Sequence, residues 1–140
     1  MENQVLLFYG NDEFLVSSNV KKAVDAACPI EQQASSIEIV NGNVAKIDEA
    51  SEALAQVIAG YKTIGLFSTA KTIWLQDATF FSNSVIMKNN NIKNQLASII
   101  EDKISGAMGD SNLFISCGSI DRRSTFFKEL KKLGVVHEYN

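Results

Sequence analysis

The chain has 140 residues, the size of one domain, with 46% hydrophobic and 21% charged residues. A chain of this length buries roughly 68 to 70% of the surface that its unfolded form exposes, so it can fold without disulfides or metals. The formal net charge of −3 argues against direct nucleic-acid binding, because a basic surface is what gathers phosphate backbones.

Cysteine usage and the N-terminus indicate the compartment. Cys28 and Cys117 are far apart, and neither has another cysteine or the one histidine, His137, at the spacing of metal ligands. We therefore expect two buried thiols in a reducing compartment and no metal. The N-terminus lacks a signal-peptide pattern, and no apolar run is long enough to span a bilayer. These features predict a cytoplasmic protein with no membrane partner.

The first third of the chain predicts a strand, a helix and a second strand. Residues 5–9, VLLFY, form a short apolar run closed by Gly10, which is typical of a strand buried on both faces. Apolar residues then recur at helical spacing from Leu15 to Ala27, and Pro29 ends that segment. Residues 36–40, SIEIV, predict the second strand.

The middle third predicts a helix, a connecting loop and a third strand. The helix begins near Val44, and Gly60 is expected to end it. Residues 71–76, KTIWLQ, predict a buried strand because they are short and rich in β-branched and aromatic side chains. From Phe80 to Asn91 the mixture of apolar residues and asparagines predicts a long mobile loop.

The last third predicts two helices and two strands. A helix follows from residue 92 to 100, and residues 113–117, LFISC, predict the fourth strand. Asp121 or Ser124 is expected to cap the last helix, which ends at Gly134 before a fifth strand. The late basic residues have the spacing of a solvated helix face. They are Arg122, Arg123, Lys128, Lys131 and Lys132.

Five strands that alternate with helices predict an α/β fold: a three-layer, doubly wound domain with a mostly parallel five-stranded sheet. In such sheets ligands bind at the carboxyl ends of the strands. The loops that follow Tyr9, Gln76 and Cys117 are therefore the first places to look for chemistry.

The phosphate-binding loop of nucleotide hydrolases is not intact in the first of these loops. When GxxxxGK is counted from Gly10, Leu15 and Val16 occupy the positions of the second glycine and the lysine. Asp12 and Glu13 add negative charge where a phosphate would bind, so we expect them to cap the helix instead. ATP hydrolysis is disfavoured.

A receiver-type phosphoacceptor domain is the sharper enzymatic alternative. Asp12 and Glu13 would hold Mg²⁺, Asp77 would accept the phosphoryl group, and Ser116 or Ser119 would sense it. The fifth strand, VVHEY, lacks the lysine that should neutralise the phosphate. There is also no GxSxG motif. The sequence therefore offers no complete catalytic site, and we expect a non-enzymatic domain with no cofactor.

Leu66 and Phe67 form an apolar pair in the segment between a helix and the third strand. Leaving such side chains exposed sacrifices about 1.5 to 3 kcal/mol each. From the residues alone, inward burial in a satellite core is the simpler interpretation. Coverage by a protein partner is the alternative.

Four stretches together resemble one known family. They are VLLFYGNDEFLV, GLFSTAKTIWLQDA, LFISC and DRRSTFFKELKKLG, in this order over nearly all of the chain. They are similar to the N-terminal domain of the delta subunit of the bacterial DNA polymerase III clamp loader.

This resemblance implies an AAA+-like fold over residues 1–140 that does not bind ATP and acts in DNA replication. The family's clamp-binding pair aligns with Leu66 and Phe67, with Ile64 and Gly65 shaping the segment. The implied function is to bind and open the sliding clamp (beta subunit). The implied further partners are the delta prime and gamma/tau subunits, reached through lid and collar domains that this chain lacks, with primed DNA contacted only indirectly.

Two other interpretations remain open at this point. One is the receiver-type domain centred on Asp77. The other is a degenerate α/β nucleotide-binding domain of unrelated role.

Overall fold

The computed structural model describes residues 4–27, 37–62 and 71–140. The strands are β1 (Gln4–Tyr9), β2 (Ile37–Asn41), β3 (Thr72–Gln76), β4 (Asn112–Cys117) and β5 (Val136–Glu138). The helices are α1 (Glu13–Ala27), α2 (Ile47–Lys62), α3 (Ser84–Met87), α4 (Asn90–Ser105) and α5 (Thr125–Lys132), with a 3₁₀ turn at Thr79–Ser82.

The five strands form one sheet in the order β2-β3-β4-β1-β5, and every neighbouring pair is parallel. In the centre of the sheet Leu7 pairs with Ile115, and Phe114 pairs with Trp74. Parallel neighbours must be joined by crossovers that return the chain to the starting edge. The predicted parallel α/β sheet is thus confirmed.

Helices cover both faces of the sheet. On β1, Leu7 and Tyr9 point into the larger core, while Phe8 points into the smaller one. The smaller core is built from one face of the sheet and the buried residues of α1. The larger core receives α2, α4 and α5. This alternation along β1 follows from the period of two in a strand, and it confirms the predicted three layers.

Gly60 does not end its helix, contrary to the sequence prediction, because α2 continues to Lys62. A Cβ atom at Gly60 would lie 2.5 Å from Cδ1 of Ile73, a fully buried residue of β3. The glycine therefore allows the helix to pack closely on the sheet. This tertiary role of a helical glycine looks the same in the sequence as a helix stop.

The predicted long mobile loop from Phe80 to Asn91 is wrong. The segment holds the 3₁₀ turn, α3 and the start of α4, and it buries Phe80, Phe81, Ile86 and Met87. Its asparagines begin helices instead of interrupting them. The side-chain oxygen of Asn89 accepts hydrogen bonds from the backbone amides at positions 91 and 92, as an N-cap residue does.

Of the two predicted caps for α5, Ser124 is the one used. Its Oγ accepts a hydrogen bond from the backbone amide of Phe127 at 3.2 Å. Asp121 lies one turn earlier, and its carboxylate accepts from the amide of Arg123 at 2.9 Å. The late basic residues are exposed, as predicted for a solvated face. They are Arg122, Arg123, Lys128, Lys131 and Lys132.

Cys117, the last residue of β4, is a free and buried thiol, as predicted. Burial, together with the nearby charge of Asp77, raises the pKa of Cys117 to about 12. Cys28 lies outside the described residues, so its predicted burial remains an expectation.

The helix cap at Asn89 can be tested by comparing substitutions of Asn89 and of its neighbour Asn90. Replacing Asn89 by Ala should lower the free energy of unfolding by about 1 kcal/mol, because two helix amides lose their acceptor. Asn90 is exposed, so Asn90→Ala is the matched control and should leave stability unchanged or slightly higher. Urea unfolding monitored by circular dichroism measures both variants. Equal losses for the two variants would contradict the cap assignment.

The raised pKa of Cys117 predicts a loss of stability in alkali. The thiol contributes its full stabilisation below the unfolded-state pKa of 9.0 and loses it as the pH rises towards about 12. The free energy of unfolding should then fall by up to about 1.36 kcal/mol per pH unit in this window. Cys117→Ala should show a shallower fall in urea titrations between about pH 8 and 10, where most tyrosines stay protonated. Parallel curves for the two proteins would refute the assignment.

Candidate functional site

The parallel sheet places its connecting segments at the two opposite ends of the strands, which we call the carboxyl edge and the amino edge of the sheet. The carboxyl edge carries the residues that follow β1, β3 and β4. The amino edge carries the residues that precede β3 and β4. The receiver and nucleotide-site interpretations concern the carboxyl edge, whereas Leu66 and Phe67 are flanked by described residues of the amino edge.

A cleft of about 380 Å³ lies at the carboxyl edge. Its lining includes residues from all three predicted loops, with Gly10 after β1, Asp77 after β3 and Gly118 after β4. Glu13 of α1 and Trp74 of β3 also line the cleft. The sequence therefore predicted correctly which strand ends meet. Glu13 and Asp77 are the carboxylates in this lining.

The backbone amides in the turn after β1 form hydrogen bonds to other residues of the same chain. The backbone amide of Asp12 donates to the carbonyl oxygen of Tyr139 at 3.2 Å, and the amide of Asn11 donates to Oδ1 of Asn140 at 3.3 Å. A Cβ atom at Gly10 would overlap the backbone of Tyr139. In a phosphate-binding loop such amides point at the ligand. Here they are hydrogen-bonded within the protein.

Asp12 caps α1, as the sequence predicted. Its Oδ1 accepts a hydrogen bond from the backbone amide of Leu15 at 3.0 Å. An anion at this helix end would compete with a carboxylate that already accepts from one of the helix amides. The charge and the hydrogen bonding of this turn therefore both oppose phosphate binding.

Asp77 takes a turn conformation with a φ of 54°. Its backbone amide donates to Oγ of Ser116 at 3.3 Å, and the indole Nε1 of Trp74 donates to the same oxygen at 3.0 Å. Ser116 is buried. It thus holds the β3 and β4 ends together, which is a structural use of the serine that the receiver interpretation assigned to sensing.

The strand order also differs from that of receiver domains. Those have the order 2-1-3-4-5, in which β1 lies directly beside β3. Here β4 separates β1 from β3. The acids after β1 and Asp77 therefore do not follow adjacent strands, and the receiver interpretation of Asp77 is wrong.

The predicted clamp-binding residues Ile64, Gly65, Leu66 and Phe67 lie outside the described residues. The residues that flank them are described. Tyr61 and Lys62 end α2, and Lys71 directly precedes β3.

The end of α2 is held by a buried polar contact with α4. Tyr61 is fully buried, and its hydroxyl donates to Oδ2 of Asp102 at 2.5 Å. Lys62 Nζ lies 3.7 Å from the same oxygen, although its side chain is 51% exposed. Burial, and then the hydrogen bond and charge of Asp102, raise the pKa of Tyr61 well above its ordinary value. The hydroxyl thus keeps its proton and remains a donor.

Sequence reasoning missed this pair, although a signal existed. Asp102 continues the helical stripe of Ile92 and Ile99, where an apolar residue is expected. Tyr61 likewise continues the stripe of Leu54 and Val57 on α2. An acid on an apolar stripe indicates a buried partner, but the sequence does not indicate which residue provides it.

Among the described residues, no group of three or more His, Cys, Asp or Glu side chains could hold a metal ion. None of the described helices combines the length and apolar character needed to cross a membrane.

Comparisons with known proteins identify the family. A search of curated proteins finds no match. Among solved structures, the Bacillus subtilis DNA clamp loader delta protein (YqeN) is similar over 99% of this chain, with 15% sequence identity and a TM-score of 0.68. A structure of Drosophila ORC bound to DNA aligns with 99% of this chain and 79% of that chain, at 13% identity and a TM-score of 0.43.

The B. subtilis structure has the same fold as this chain, which spans 38% of its length. The family model for the DNA polymerase III delta subunit matches residues 6–140. This match includes nearly the whole chain and agrees with the family resemblance of the four sequence stretches. The chain therefore belongs to the DNA polymerase III delta subunit family.

Proposed function

We propose that this chain is the clamp-binding domain of a clamp-loader delta subunit, and that Leu66 and Phe67 contact the sliding clamp directly. The observation that carries the proposal is the family match, which runs from residue 6 to 140 and so includes both residues. The described fold supports it, because the segment that the resemblance assigns to clamp binding follows α2 and precedes β3 in the chain.

Ile64 and Gly65 shape the segment in this proposal, and Leu66 and Phe67 are its apolar anchors. Two such side chains that enter a pocket on the partner act as hot spots, each costing about 2 kcal/mol or more when truncated. To open a ring, the domain must bind the open clamp more tightly than the closed one, since equal affinity for both shifts nothing.

The carboxyl edge supports a role without nucleotide hydrolysis. The amides of Asn11 and Asp12 bond within the chain, and Asp12 caps α1. In this proposal the domain is not itself an enzyme and needs no cofactor. ATP acts through the gamma/tau subunits, which, with delta prime, contact the delta subunit through its lid and collar domains.

The central test compares clamp binding by two double variants. Leu66→Ala/Phe67→Ala should weaken binding to the purified sliding clamp of the same genome by at least about 30-fold, the equivalent of one 2 kcal/mol hot spot. Surface plasmon resonance measures the affinity. Release of clamp from nicked circular DNA, which requires an open ring, should fall in parallel.

The matched control is Phe14→Ala/Leu15→Ala. These residues form an apolar pair of the same composition on α1, and Phe14 is 77% exposed. They lie at the carboxyl edge, so clamp affinity should stay within about twofold of the wild-type value. If the Leu66/Phe67 variant binds the clamp as tightly as the control, the proposed anchors are wrong.

Nucleotide binding gives a second test. The domain should show no saturable binding of a fluorescent ATP analogue at millimolar concentration with Mg²⁺, because the amides after β1 are already hydrogen-bonded. Binding in the micromolar range that excess ATP displaces would contradict this part of the proposal.

A further inference from the structure

A groove of about 710 Å³ lies between α4 and α5, the two helices that pack side by side on the larger core. We call it the helix groove. Its described lining residues are all different from those of the carboxyl-edge cleft. Protein pockets that bind ligands have volumes of about 300 to 1,000 Å³. The helix groove is therefore large enough to take side chains of a partner.

The floor of the helix groove is apolar. Ala97, an exposed residue of α4, leaves space there because its side chain has a single carbon atom. The larger floor residues are buried and belong to the larger core, so the surface beneath the groove is already packed. An apolar side chain that enters the groove is removed from water against this surface. The floor residues are Met87, Leu96, Ala97, Ile100 and Phe126.

The rim at the N-terminal ends of α4 and α5 is mainly cationic. Lys88, Lys93 and Arg123 are exposed and line it together with one carboxylate, Asp121. Oδ1 of Asp121 accepts hydrogen bonds from the backbone amide of Arg123 at 2.9 Å and from its Nε at 3.3 Å. These hydrogen bonds, with the charges of Arg123 and Lys88, lower the pKa of Asp121. The rim thus holds three cations and one anion, whereas the whole chain has a formal net charge of −3.

The second acid of the lining, Glu129, is paired with a cation outside the groove. Its Oε1 lies 3.5 Å from Nζ of Lys132 on the same helix. Glu129 therefore does not cancel the positive charge at the rim. An occupant that complements the described lining needs negative charge at one end and an apolar group beside it.

A peptide satisfies both requirements better than a nucleic acid does. Nucleic-acid affinity comes chiefly from many phosphate contacts to lysine and arginine, and phosphates leave the apolar floor uncovered. A segment with an acidic residue next to a large apolar one places a carboxylate at the rim and a hydrocarbon on the floor. Met87 favours this use as well, because a methionine side chain is flexible and adapts to the shape of its partner.

We propose that the helix groove binds a short acidic segment of a partner protein. A large apolar side chain of that segment enters between α4 and α5, and its carboxylates lie against Lys88, Lys93 and Arg123. This site is independent of the proposed clamp contact, since the helix groove is formed by described residues from 87 to 129. It gives the domain a second protein-binding surface.

The occupant can be identified with random heptapeptides displayed on phage and selected on the wild-type chain. The enriched peptides should combine Asp or Glu with Leu, Phe or Trp. A fluorescein-labelled copy of the most enriched peptide then gives the affinity by fluorescence polarisation. Raising NaCl from about 50 to about 500 mM should weaken its binding, because salt screens exposed charges. Selection of peptides that lack acidic residues would overturn the proposal.

Charge reversal at the rim tests the predicted contacts. Lys88→Glu/Lys93→Glu should weaken binding of the labelled peptide by at least about tenfold, because two attractive charge pairs become repulsive. Both lysines are exposed, so the variant should fold, which circular dichroism verifies. The matched control is Lys21→Glu/Lys22→Glu, the same change at exposed residues of α1. The control should bind within about twofold of wild type, and equal losses for the two variants would refute the site.

The groove itself can be closed at Ala97. Ala97→Trp places a large side chain in the space between the helices and should abolish binding of the labelled peptide, whereas Ala97→Ser leaves the groove open and should retain it. Because Ala97 is exposed, neither substitution disturbs the buried core. Full binding by a folded Ala97→Trp protein would show that the peptide binds elsewhere.

Two competitors separate this inference from its alternatives. If a duplex DNA of about 20 base pairs displaces the peptide and itself loses affinity in Lys88→Glu/Lys93→Glu, the groove is a nucleic-acid site and the proposal is wrong. If the purified sliding clamp displaces the peptide, the groove is part of the clamp contact and the separate partner is refuted. We expect neither to compete. Normal clamp binding by Leu66→Ala/Phe67→Ala would overturn the proposed function and leave the helix groove unaffected.

Discussion

The parallel pairing of all five strands is the constraint on which the rest of this structure depends. Each connection between parallel neighbours must cross from one edge of the sheet to the other, because a tight hairpin cannot join them. The connecting segments are thereby sorted into two groups at opposite edges. One group meets at the cleft beside Asp77, and the other includes the flanks of the segment that carries Leu66 and Phe67.

The carboxyl edge has a cleft where a ligand could bind, but several polar groups around it form hydrogen bonds within the protein. Asp12 caps α1, the amide at position 12 binds Tyr139, and Ser116 joins β3 to β4. A buried polar group stabilises a fold only when it has a partner. These groups are hydrogen-bonded within the protein, and Val16 stands where a phosphate-binding loop has its lysine.

The amino edge shows a different use of buried polar groups. Tyr61 and Asp102 are 41 residues apart in sequence and form one short hydrogen bond inside the larger core. A carboxylate in such a place costs solvation free energy that only well-aligned donors offset. Such a contact often stabilises a fold less than an apolar pair of similar volume, and here it joins α2 to α4 through one directional hydrogen bond.

The sequence alone determined the order of the five strands and of the helices α1, α2, α4 and α5, the α/β class and the helix cap at Asp12, because hydrophobic periodicity and cap chemistry act over a few neighbouring residues. It also indicated which strand ends bear polar groups. Only the tertiary structure decided the strand order, the close packing of Gly60 on Ile73 and the partner of Asp102. Each of these depends on which distant surfaces fit together, and periodicity along the chain carries no information about that fit.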